Sequence, residues 1–155
     1  MKYYDEISSG YNELYKEEQL KKLELISEHF TPKPIMLDIG AGTGISTSFF
    51  NVKSVALDPS EQLLSYYNGE KVVAQAESIP YPDNYFSSII SVTALHHADI
   101  DKAIKEIKRV SKPGCVYAFS ILKRSKDFKE IVFKLKQNFK LKEIDEGKDL
   151  ILVSP

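Results

Sequence analysis

An apolar run followed by glycine at every second position constrains this chain more than any other feature. The stretch reads "IMLDIGAGTG", with Asp38 ahead of Gly40, Gly42 and Gly44. Glycine adopts positive φ and lets another group approach the backbone closely. A short strand that enters such a turn and continues into a helix is typical of cofactor-binding loops in open α/β sheets. The stretch therefore predicts an α/β domain with a ligand at the glycine turn.

The glycine spacing separates this loop from two other nucleotide-binding loops. A dinucleotide-binding loop follows G-x-G-x-x-G, which would put the third glycine at position 45, where this chain has Ile45. A P-loop needs Lys and then Ser or Thr after its last glycine, whereas Gly44 is followed by Ile45 and Ser46. The loop therefore fits neither class.

The order of apolar patterns predicts the architecture. Strand-like runs at 35–40, 54–58, 71–76, 86–92 and 115–120 alternate with helical patterns at 60–67, 100–110 and 125–139, which indicates a parallel sheet with right-handed crossovers. Two further strand-like runs, near 139–145 and 149–153, are separated only by "EGK", so they should form an antiparallel hairpin with Gly147 in the turn. We predict a Rossmann-like, doubly wound α/β sheet of seven strands, mostly parallel with one antiparallel C-terminal strand.

The length and an early pair of prolines indicate the domain organisation. A chain of 155 residues is long enough for one domain with a core. Pro32 and Pro34 follow an amphipathic helical segment whose apolar stripe includes Leu20, Leu23 and Ile26 and ends at Phe30. We therefore expect a single domain over 1–155, with an N-terminal helical lid at 1–31 and a cofactor-binding core at 35–155.

Composition limits the remaining classes. No apolar run approaches the roughly 20 residues of a membrane span, and the N-terminus has no apolar signal segment, so we expect a cytoplasmic protein without a membrane partner. The single Cys115 cannot form an internal disulfide or a zinc site alone. Residues 1–98 carry 7 Lys and Arg against 13 Asp and Glu, whereas residues 99–155 carry 14 against 9. This excess of positive charge is either a set of solvated helix faces or a basic surface for a polyanion.

Together with the glycine loop, three later runs resemble the class I S-adenosylmethionine-dependent methyltransferases, in particular the group that includes ubiquinone and menaquinone biosynthesis enzymes. "LDIGAGTG" is similar to that family's first motif, and "ALDPS", "AQAESIPYPDNYF" and "ISVTALHHADI" are similar to the motifs that follow. The resemblance covers about residues 11–153. It implies S-adenosyl-L-methionine as the cofactor and methyl transfer as the reaction.

The resemblance also implies which residues bind the cofactor. Asp58 would bind both ribose hydroxyls, which suits a carboxylate because it has two acceptor oxygens. The backbone N–H of Ala76 would contact the adenine edge, and Gln75 stands where the family usually has Asp. The residues expected at the cofactor are Tyr11, Asp38, Gly40, Ala41, Gly42, Gly44, Asp58, Pro59, Gln75, Ala76, Glu77, Ser91, Val92 and Leu95.

The catalytic group is not identified by sequence, and the candidates are His96, His97 and Tyr11. A metal site needs more ligands than the histidine pair supplies, so we expect no metal. One of the histidines is a candidate general base; in most relatives with this pair it is structural. Tyr11, and after it Tyr15, match a family tyrosine that lies near the cofactor carboxylate. The alternative for both tyrosines is packing as part of a lid.

The acceptor is also open at this level. The chain has "VTALHH" where methyltransferases of amino groups in DNA, and in some RNA and protein targets, carry N/D-P-P-Y/F. This argues against an enzyme that modifies adenine or glutamine. Ser120 leads within a few residues to the last helix, without the substrate-covering insertion common in enzymes acting on small molecules, and Lys123, Arg124 and Lys126 lie in this short connection. We therefore expect RNA or an acidic protein as acceptor, or a partner subunit that completes the site. A small-molecule enzyme with a partner-supplied lid and a non-catalytic cofactor-binding subunit remain alternatives.

Overall fold

The computed structural model describes residues 9–155, with side chains from Glu13 onward. Strands and helices alternate along the chain up to a C-terminal pair of strands. The strands are β1 (Met36–Ile39), β2 (Ser54–Asp58), β3 (Lys71–Val73), β4 (Phe86–Val92), β5 (Ser111–Leu122), β6 (Lys142–Asp145) and β7 (Asp149–Val153). The helices are α1 (Ser9–Ser27), α2 (Ile45–Phe49), α3 (Glu61–Leu64), α4 (Ile100–Val110) and α5 (Phe128–Asn138), with a 3₁₀ turn at Leu95–His97.

All seven strands form one sheet in the order β3-β2-β1-β4-β5-β7-β6. Strands β1 to β5 pair in parallel, whereas β7 is antiparallel to both of its neighbours. This confirms the predicted fold class. The strand order reverses between β1 and β4, which is where open α/β sheets place their ligand crevice, at the carboxyl ends of the strands.

The sheet is covered on both faces because neighbouring residues of a strand point to opposite sides. One face packs against α1 and α2, and the other packs against α4 and α5. The first layer contains Leu23, Ile26, Phe30, Met36, Phe50, Ile90, Ala118, Ile151 and Val153, and the second includes Leu37, Ile89, Ile104, Ile107, Phe119, Ile131, Leu135 and Leu152. Within residues 9–155, no helix is long and apolar enough to cross a lipid bilayer.

Element boundaries differ from the sequence prediction at several places. Strand β3 ends at Val73 rather than at residue 76, because the chain turns out of the sheet and the N–H of Ser78 bonds the carbonyl of Gln75. Strand β5 begins at Ser111, earlier than the predicted residue 115, and it passes through Gly114, whose φ is +83°. Helix α3 is shorter than predicted, and Ser60 caps it by accepting a hydrogen bond from Leu63 N.

Candidate cofactor and active site

The loop after β1 lies over the carboxyl end of β2. The N–H groups of Gly40 and Ala41 both donate to the carbonyl of Leu57, at 2.8 and 3.0 Å. On the other side of β1, the buried hydroxyl of Ser91 donates to the carbonyl of Ile39 at 2.8 Å. The ends of three parallel strands therefore support this loop and fix the direction of its backbone.

The three glycines of the loop are required for different reasons, although all three have positive φ. A Cβ atom on Gly40 would lie 2.3 Å from the Cβ of Ala94, and one on Gly44 would lie 2.5 Å from the ring of Tyr67. A Cβ on Gly42 would meet nothing within 4 Å. Gly40 and Gly44 thus serve close packing within the protein, and only Gly42 faces open space, as a backbone that contacts a ligand requires.

Asp58 is tied to the glycine loop. Its side chain is almost fully buried, with a residue exposure of 7 %. Oδ2 accepts the N–H of Gly42 at 2.9 Å, and Oδ1 accepts the N–H of Ser60 at 2.8 Å. Each carboxylate oxygen has a second lone pair, so the same group can hold the loop and still accept a ligand hydroxyl.

Asp38 is completely buried and supports the first turn of α2. Its Oδ2 accepts hydrogen bonds from the hydroxyls of Ser46 and Thr47, at 2.6 and 2.7 Å, while Oδ1 has no partner. Burial raises the pKa of this carboxyl from 3.8 to about 6; the two hydroxyls act in the opposite direction, and the nearby Asp58 raises it further. The structure thus gives Asp38 a supporting position, and direct contact with the cofactor stays a prediction.

Two clefts open on either side of Gly40. The β3-side cleft is lined by Ile39, Gly40, Leu57, Pro59, Gln75, Ala76, Glu77, Ala94, Leu95, His97 and Ala98. The α1-side cleft is lined by Tyr15, Gln19, Gly40, Ala41, Gly42, Thr43, Ile45, Ser46, Leu63 and Val92. Gly40 lines both, so the two clefts meet at the glycine loop.

Most residues that the sequence singled out lie at these clefts. Gly44, Asp58 and Ser91 instead support the loop from within, as does Asp38. Glu77 lines the β3-side cleft and also accepts the backbone N–H of Asp99 at 3.0 Å. The side chain of Tyr11 lies outside the described residues. The cleft residues that the sequence prediction named are Gly40, Ala41, Gly42, Pro59, Gln75, Ala76, Glu77, Val92 and Leu95.

Helix α1 contributes a residue to the site that sequence reasoning missed. Gln19 lines the α1-side cleft beside Tyr15, and its Nε2 donates to the tyrosine hydroxyl at 3.3 Å. The signal was available, because residues four apart lie on one face of a helix. Tyr15 matches the family tyrosine less well than Tyr11, whose side chain lies outside the described residues.

The two histidines occupy different environments even though their ring centroids are only 3.9 Å apart. His97 is exposed and lines the β3-side cleft. His96 is half-buried, and its Nδ1 is buried without a partner. Burial lowers the pKa of His96, the neighbouring His97 lowers it further, and the negative charge of Asp149 opposes both. A metal site at the pair finds no support in the described part of the chain, where no three His, Cys, Asp or Glu side chains group around a common point.

A buried ionic cluster that the sequence did not predict lies at the start of the loop that leads to the histidines. Lys22 of α1 lies 3.2 Å from Oδ2 of Asp149, and its ammonium donates to Oγ1 of Thr93 at 2.9 Å. Thr93 in turn donates to Asp149 at 2.5 Å. Positions 22, 93 and 149 are far apart in sequence and follow no local pattern, so only the folded chain brings them together.

The basic connection after β5 is short and open. Residues 123–127 alone join β5 to α5. Lys123 forms an ion pair with Asp145 at 2.5 Å, whereas Arg124 and Lys126 are exposed. The ion pair therefore neutralises the charge of Lys123, whereas the positive charges of Arg124 and Lys126 are exposed to solvent.

The comparison with family models decides which of the loop classes this is. A model described as a methyltransferase domain matches residues 37–119, which include the glycine loop, Asp58 and the histidine pair. The chain belongs to the class I S-adenosylmethionine-dependent methyltransferases. The methyltransferase domain therefore covers more than half of the chain, and its Rossmann-like sheet is the one described above.

Curated relatives of this chain differ in what their names say they act on. The chain is 33 % identical to an uncharacterised protein of Methanocaldococcus jannaschii, over 89 % of this chain and 57 % of that protein. It is 35 % identical to a malonyl-[acyl-carrier protein] O-methyltransferase of Methylococcus capsulatus, over 59 % of this chain and 39 % of that protein. It is 31 % identical to a tRNA (carboxymethyluridine(34)-5-O)-methyltransferase of Arabidopsis thaliana, over 60 % of this chain and 25 % of that protein. The chain thus spans less than two thirds of each of these relatives.

Solved structures agree on the fold. A crystal structure from Thermotoga maritima, described as an S-adenosylmethionine-dependent methyltransferase, superposes with a TM-score of 0.72 at 18 % identity, covering 88 % of this chain and 89 % of that one. The residues of this chain fit the family's cofactor. Asp58 offers paired oxygens for a diol, Gly42 leaves space above its backbone, and the β3-side cleft has the apolar walls that an aromatic base needs.

Proposed function

We propose that this protein methylates RNA, with S-adenosyl-L-methionine lying across the two clefts and the acceptor on the open side of the sheet. One observation carries the choice of acceptor: exposed Arg124 and Lys126 lie just beyond the carboxyl end of β5, on a connection of only residues 123–127. A connection this short adds no cover over the acceptor side. Tight small-molecule sites bury most of their ligand, whereas a polyanion binds an open surface through several cations.

The cofactor contacts that we expect come from the family resemblance, and the two clefts are compatible with them. Asp58 holds the ribose, Gln75 and Ala76 meet the adenine edge, and Tyr15 and Gln19 close the α1 side over the methionine part. When bound, the cofactor supplies an electrophilic methyl group on a sulfonium. The chain then has to bring the acceptor close and align it with the breaking bond, which contributes much of the acceleration in such reactions.

The relatives give limited support to this choice of acceptor. The name of one relative includes tRNA and that of another includes an acyl-carrier protein, and both acceptors are macromolecules. Neither match covers as much as half of the relative. The proposal therefore rests on the cationic connection of this chain rather than on the relatives.

The first experiment measures binding of fluorescently labelled bulk tRNA by anisotropy at several salt concentrations. Replacing Arg124 and Lys126 by Glu should weaken binding and lower the slope of log affinity against log salt by about 1.4, since each lost phosphate contact contributes roughly 0.7 on single strands. The matched control replaces Lys112 and Lys140, exposed cations near the start of β5 at the opposite end of the sheet, and should leave binding unchanged. Equal losses in both double variants would contradict a defined RNA surface.

The second experiment identifies the acceptor directly. The protein is incubated with tritium-labelled S-adenosylmethionine and with RNA, protein and small-molecule fractions of a cell extract. Label in RNA, with transfer that falls as salt rises, supports the proposal. Label in a small metabolite at a rate insensitive to salt overturns it and favours an enzyme whose lid comes from a partner. Binding of S-adenosylhomocysteine without any transfer favours a non-catalytic subunit.

A further inference from the structure

Helix α5 carries an exposed aromatic ring that the core does not use. Phe133 is 63 % exposed, more than any other large hydrophobic side chain in the described part of the chain. Ile131 and Leu135 of the same helix are buried in the core. Successive residues of a helix are about 100° apart around its axis, so Phe133, two positions from each of these, lies on the opposite side. The ring is therefore presented to the surroundings of the protein.

Two cations without ion pairs lie close to this ring. Lys129 is four residues before Phe133, which places both on one face of α5, about 6 Å apart along the helix axis. Lys126 and Lys129 are exposed, and they line one surface depression at the start of the helix. Among the described residues, no carboxylate lies within ion-pair distance of either ammonium. The outer face of α5 thus combines a flat apolar ring with positive charge.

Acidic side chains in the same depression offset this charge only in part. Glu130 forms an ion pair with Lys134 at 2.9 Å, so its charge is already balanced. Asp127 is exposed and also lines the depression. The exposed cations around Asp127 outnumber it, because the connection and the first turn of α5 supply Arg124, Lys126 and Lys129.

This face continues from the place where the proposed function puts the acceptor. Helix α5 begins at Phe128, directly after the connection of residues 123–127 that follows the carboxyl end of β5. Lys129 and Phe133 then occupy its first and second turns. A chain that contacts Arg124 and Lys126 therefore meets Lys129 and next Phe133 if it continues along the helix.

We propose that Phe133 and Lys129 bind an unpaired stretch of RNA, with a base stacked on the ring of Phe133 and a neighbouring phosphate at Lys129. This deepens the proposed function and rests on it. Unpaired bases stack on aromatic side chains whatever their identity, because every base has a π-face. In a duplex the base faces are covered by the neighbouring base pairs. The acceptor region is therefore a single strand or a loop.

The charges around the ring favour RNA over a protein partner or a second copy of this chain. Protein–protein interfaces are depleted in lysine relative to the rest of the surface. An apolar partner seated on Phe133 would also take the ammonium of Lys129 out of water without a carboxylate to pair with it, which is costly. An RNA strand supplies both a flat base and the phosphates that these cations need.

The first test detects stacking directly. The chain has no tryptophan, so Phe133→Trp introduces a single fluorophore. A short single-stranded RNA should quench its emission, whereas a duplex and an abasic strand of the same length should not. Val73→Trp, at an exposed position of β3, is the control and should not be quenched. Emission of Phe133→Trp that is unaffected by RNA overturns the proposal. So does a blue shift that grows with protein concentration in the absence of RNA, because a second copy would then cover the ring.

A second set of variants separates stacking from general apolar contact. Phe133→Tyr keeps an aromatic ring, and Phe133→Leu keeps an apolar side chain without one. By anisotropy, Phe133→Leu should bind single-stranded RNA about 5-fold or more weakly, whereas Phe133→Tyr should bind like wild type. Both should keep the melting temperature and the affinity for S-adenosylhomocysteine, since the side chain is exposed. Wild-type RNA affinity in Phe133→Leu overturns the stacking role.

The phosphate contact is tested by its salt dependence. Lys129→Glu should lower the slope of log affinity against log salt by about 0.7, the contribution of one phosphate contact on a single strand. Lys112→Glu replaces an exposed lysine at the start of β5 and should leave the slope unchanged. A wild-type slope in Lys129→Glu overturns the role of this lysine.

The outcomes distinguish this proposal from the proposed function. If unpaired RNA quenches Phe133→Trp but no RNA fraction accepts the methyl label, the acceptor assignment fails and the RNA surface on α5 stands. If Phe133→Leu methylates RNA with the kcat and KM of wild type, the surface on α5 is wrong and the proposed function stands.

Discussion

The backbone N–H of Gly42 donates a hydrogen bond to Oδ2 of Asp58 at 2.9 Å. This bond joins the loop after β1 to the end of β2, and the other oxygen of the same carboxylate holds the first residue after Pro59. The two segments that the family resemblance assigns to different parts of one cofactor are therefore mechanically connected. A change at either residue should affect both the loop and the ligand.

The open space at Gly42 predicts a selective binding defect. Gly42→Ala puts a methyl group where the bound ligand would contact the backbone, so affinity for S-adenosylhomocysteine should fall about 10-fold or more, equivalent to at least about 1.4 kcal/mol. The positive φ adds roughly 1–2 kcal/mol of instability. Calorimetry and thermal unfolding measure the two effects. Gly114→Ala, also at positive φ with open space around its Cβ, is the control and should lose stability but no affinity.

Substitutions of Asp58 should weaken S-adenosylhomocysteine binding in proportion to the number of acceptor oxygens that they remove. Asp58→Ala removes a charged acceptor, and such hydrogen bonds contribute roughly 1.5–3 kcal/mol each, so affinity for S-adenosylhomocysteine should fall about 10- to 100-fold. Asp58→Asn keeps one acceptor oxygen, but its amide NH₂ would face a backbone N–H that needs an acceptor. The affinity of this variant should therefore be intermediate. Asp145 accepts the N–H of Gly147 just as Asp58 accepts that of Ser60. Unchanged affinity is therefore expected for Asp145→Ala, and equal affinity in wild type and Asp58→Ala would refute the ribose assignment.

The raised pKa of Asp38 predicts how the free energy of unfolding depends on pH. Its folded pKa of about 6 exceeds the ordinary value of 3.8, so the folded state binds this proton more tightly than the unfolded state. The stabilisation is complete below pH 4 and is lost as pH rises through 6, a change of roughly 3 kcal/mol. Urea unfolding of wild type and Asp38→Asn from pH 4 to 7.5 measures it. Relative to wild type, Asp38→Asn should gain unfolding free energy as pH rises. A difference in unfolding free energy that stays constant with pH would contradict the raised pKa.

The hydrogen bonds of Arg109 predict that α4 is coupled to the β3-side cleft. Its guanidinium donates to the carbonyls of Ile79 and Tyr81, at 2.7 and 2.9 Å, and pairs with Glu106 and Asp83. Arg109→Met should therefore loosen the segment that follows Gln75 and Ala76, lowering the free energy of unfolding by about 2 kcal/mol and weakening S-adenosylhomocysteine binding. Arg109→Lys keeps the charge with a single donor group and should be intermediate. Full affinity in a destabilised Arg109→Met would show that the segment does not control the cleft.

The architecture was predictable because its determinants are local. Alternating apolar patterns and the short "EGK" turn specified seven strands with the C-terminal one reversed, and the sheet has that topology. Boundaries were less predictable, since strand ends depend on their neighbours. Strand β3 stops at Val73 where the chain turns toward the cleft, and β5 runs through Gly114 because β4 pairs with its first residue.

The sequence alone determined the glycine loop and its separation from dinucleotide-binding loops, because both follow from a short motif with fixed spacing. The roles expected of Asp58, Gln75 and Ala76 came from the family resemblance. Only the tertiary structure decided that Gly40 and Gly44 serve packing against Ala94 and Tyr67, since those contacts join separate loops. It also decided which histidine lines a cleft, since His97 does so whereas His96 is half-buried. Lys22, Thr93 and Asp149 meet only when α1, β4 and β7 pack at one end of the sheet, and no local pattern encodes contacts between residues so far apart in the chain.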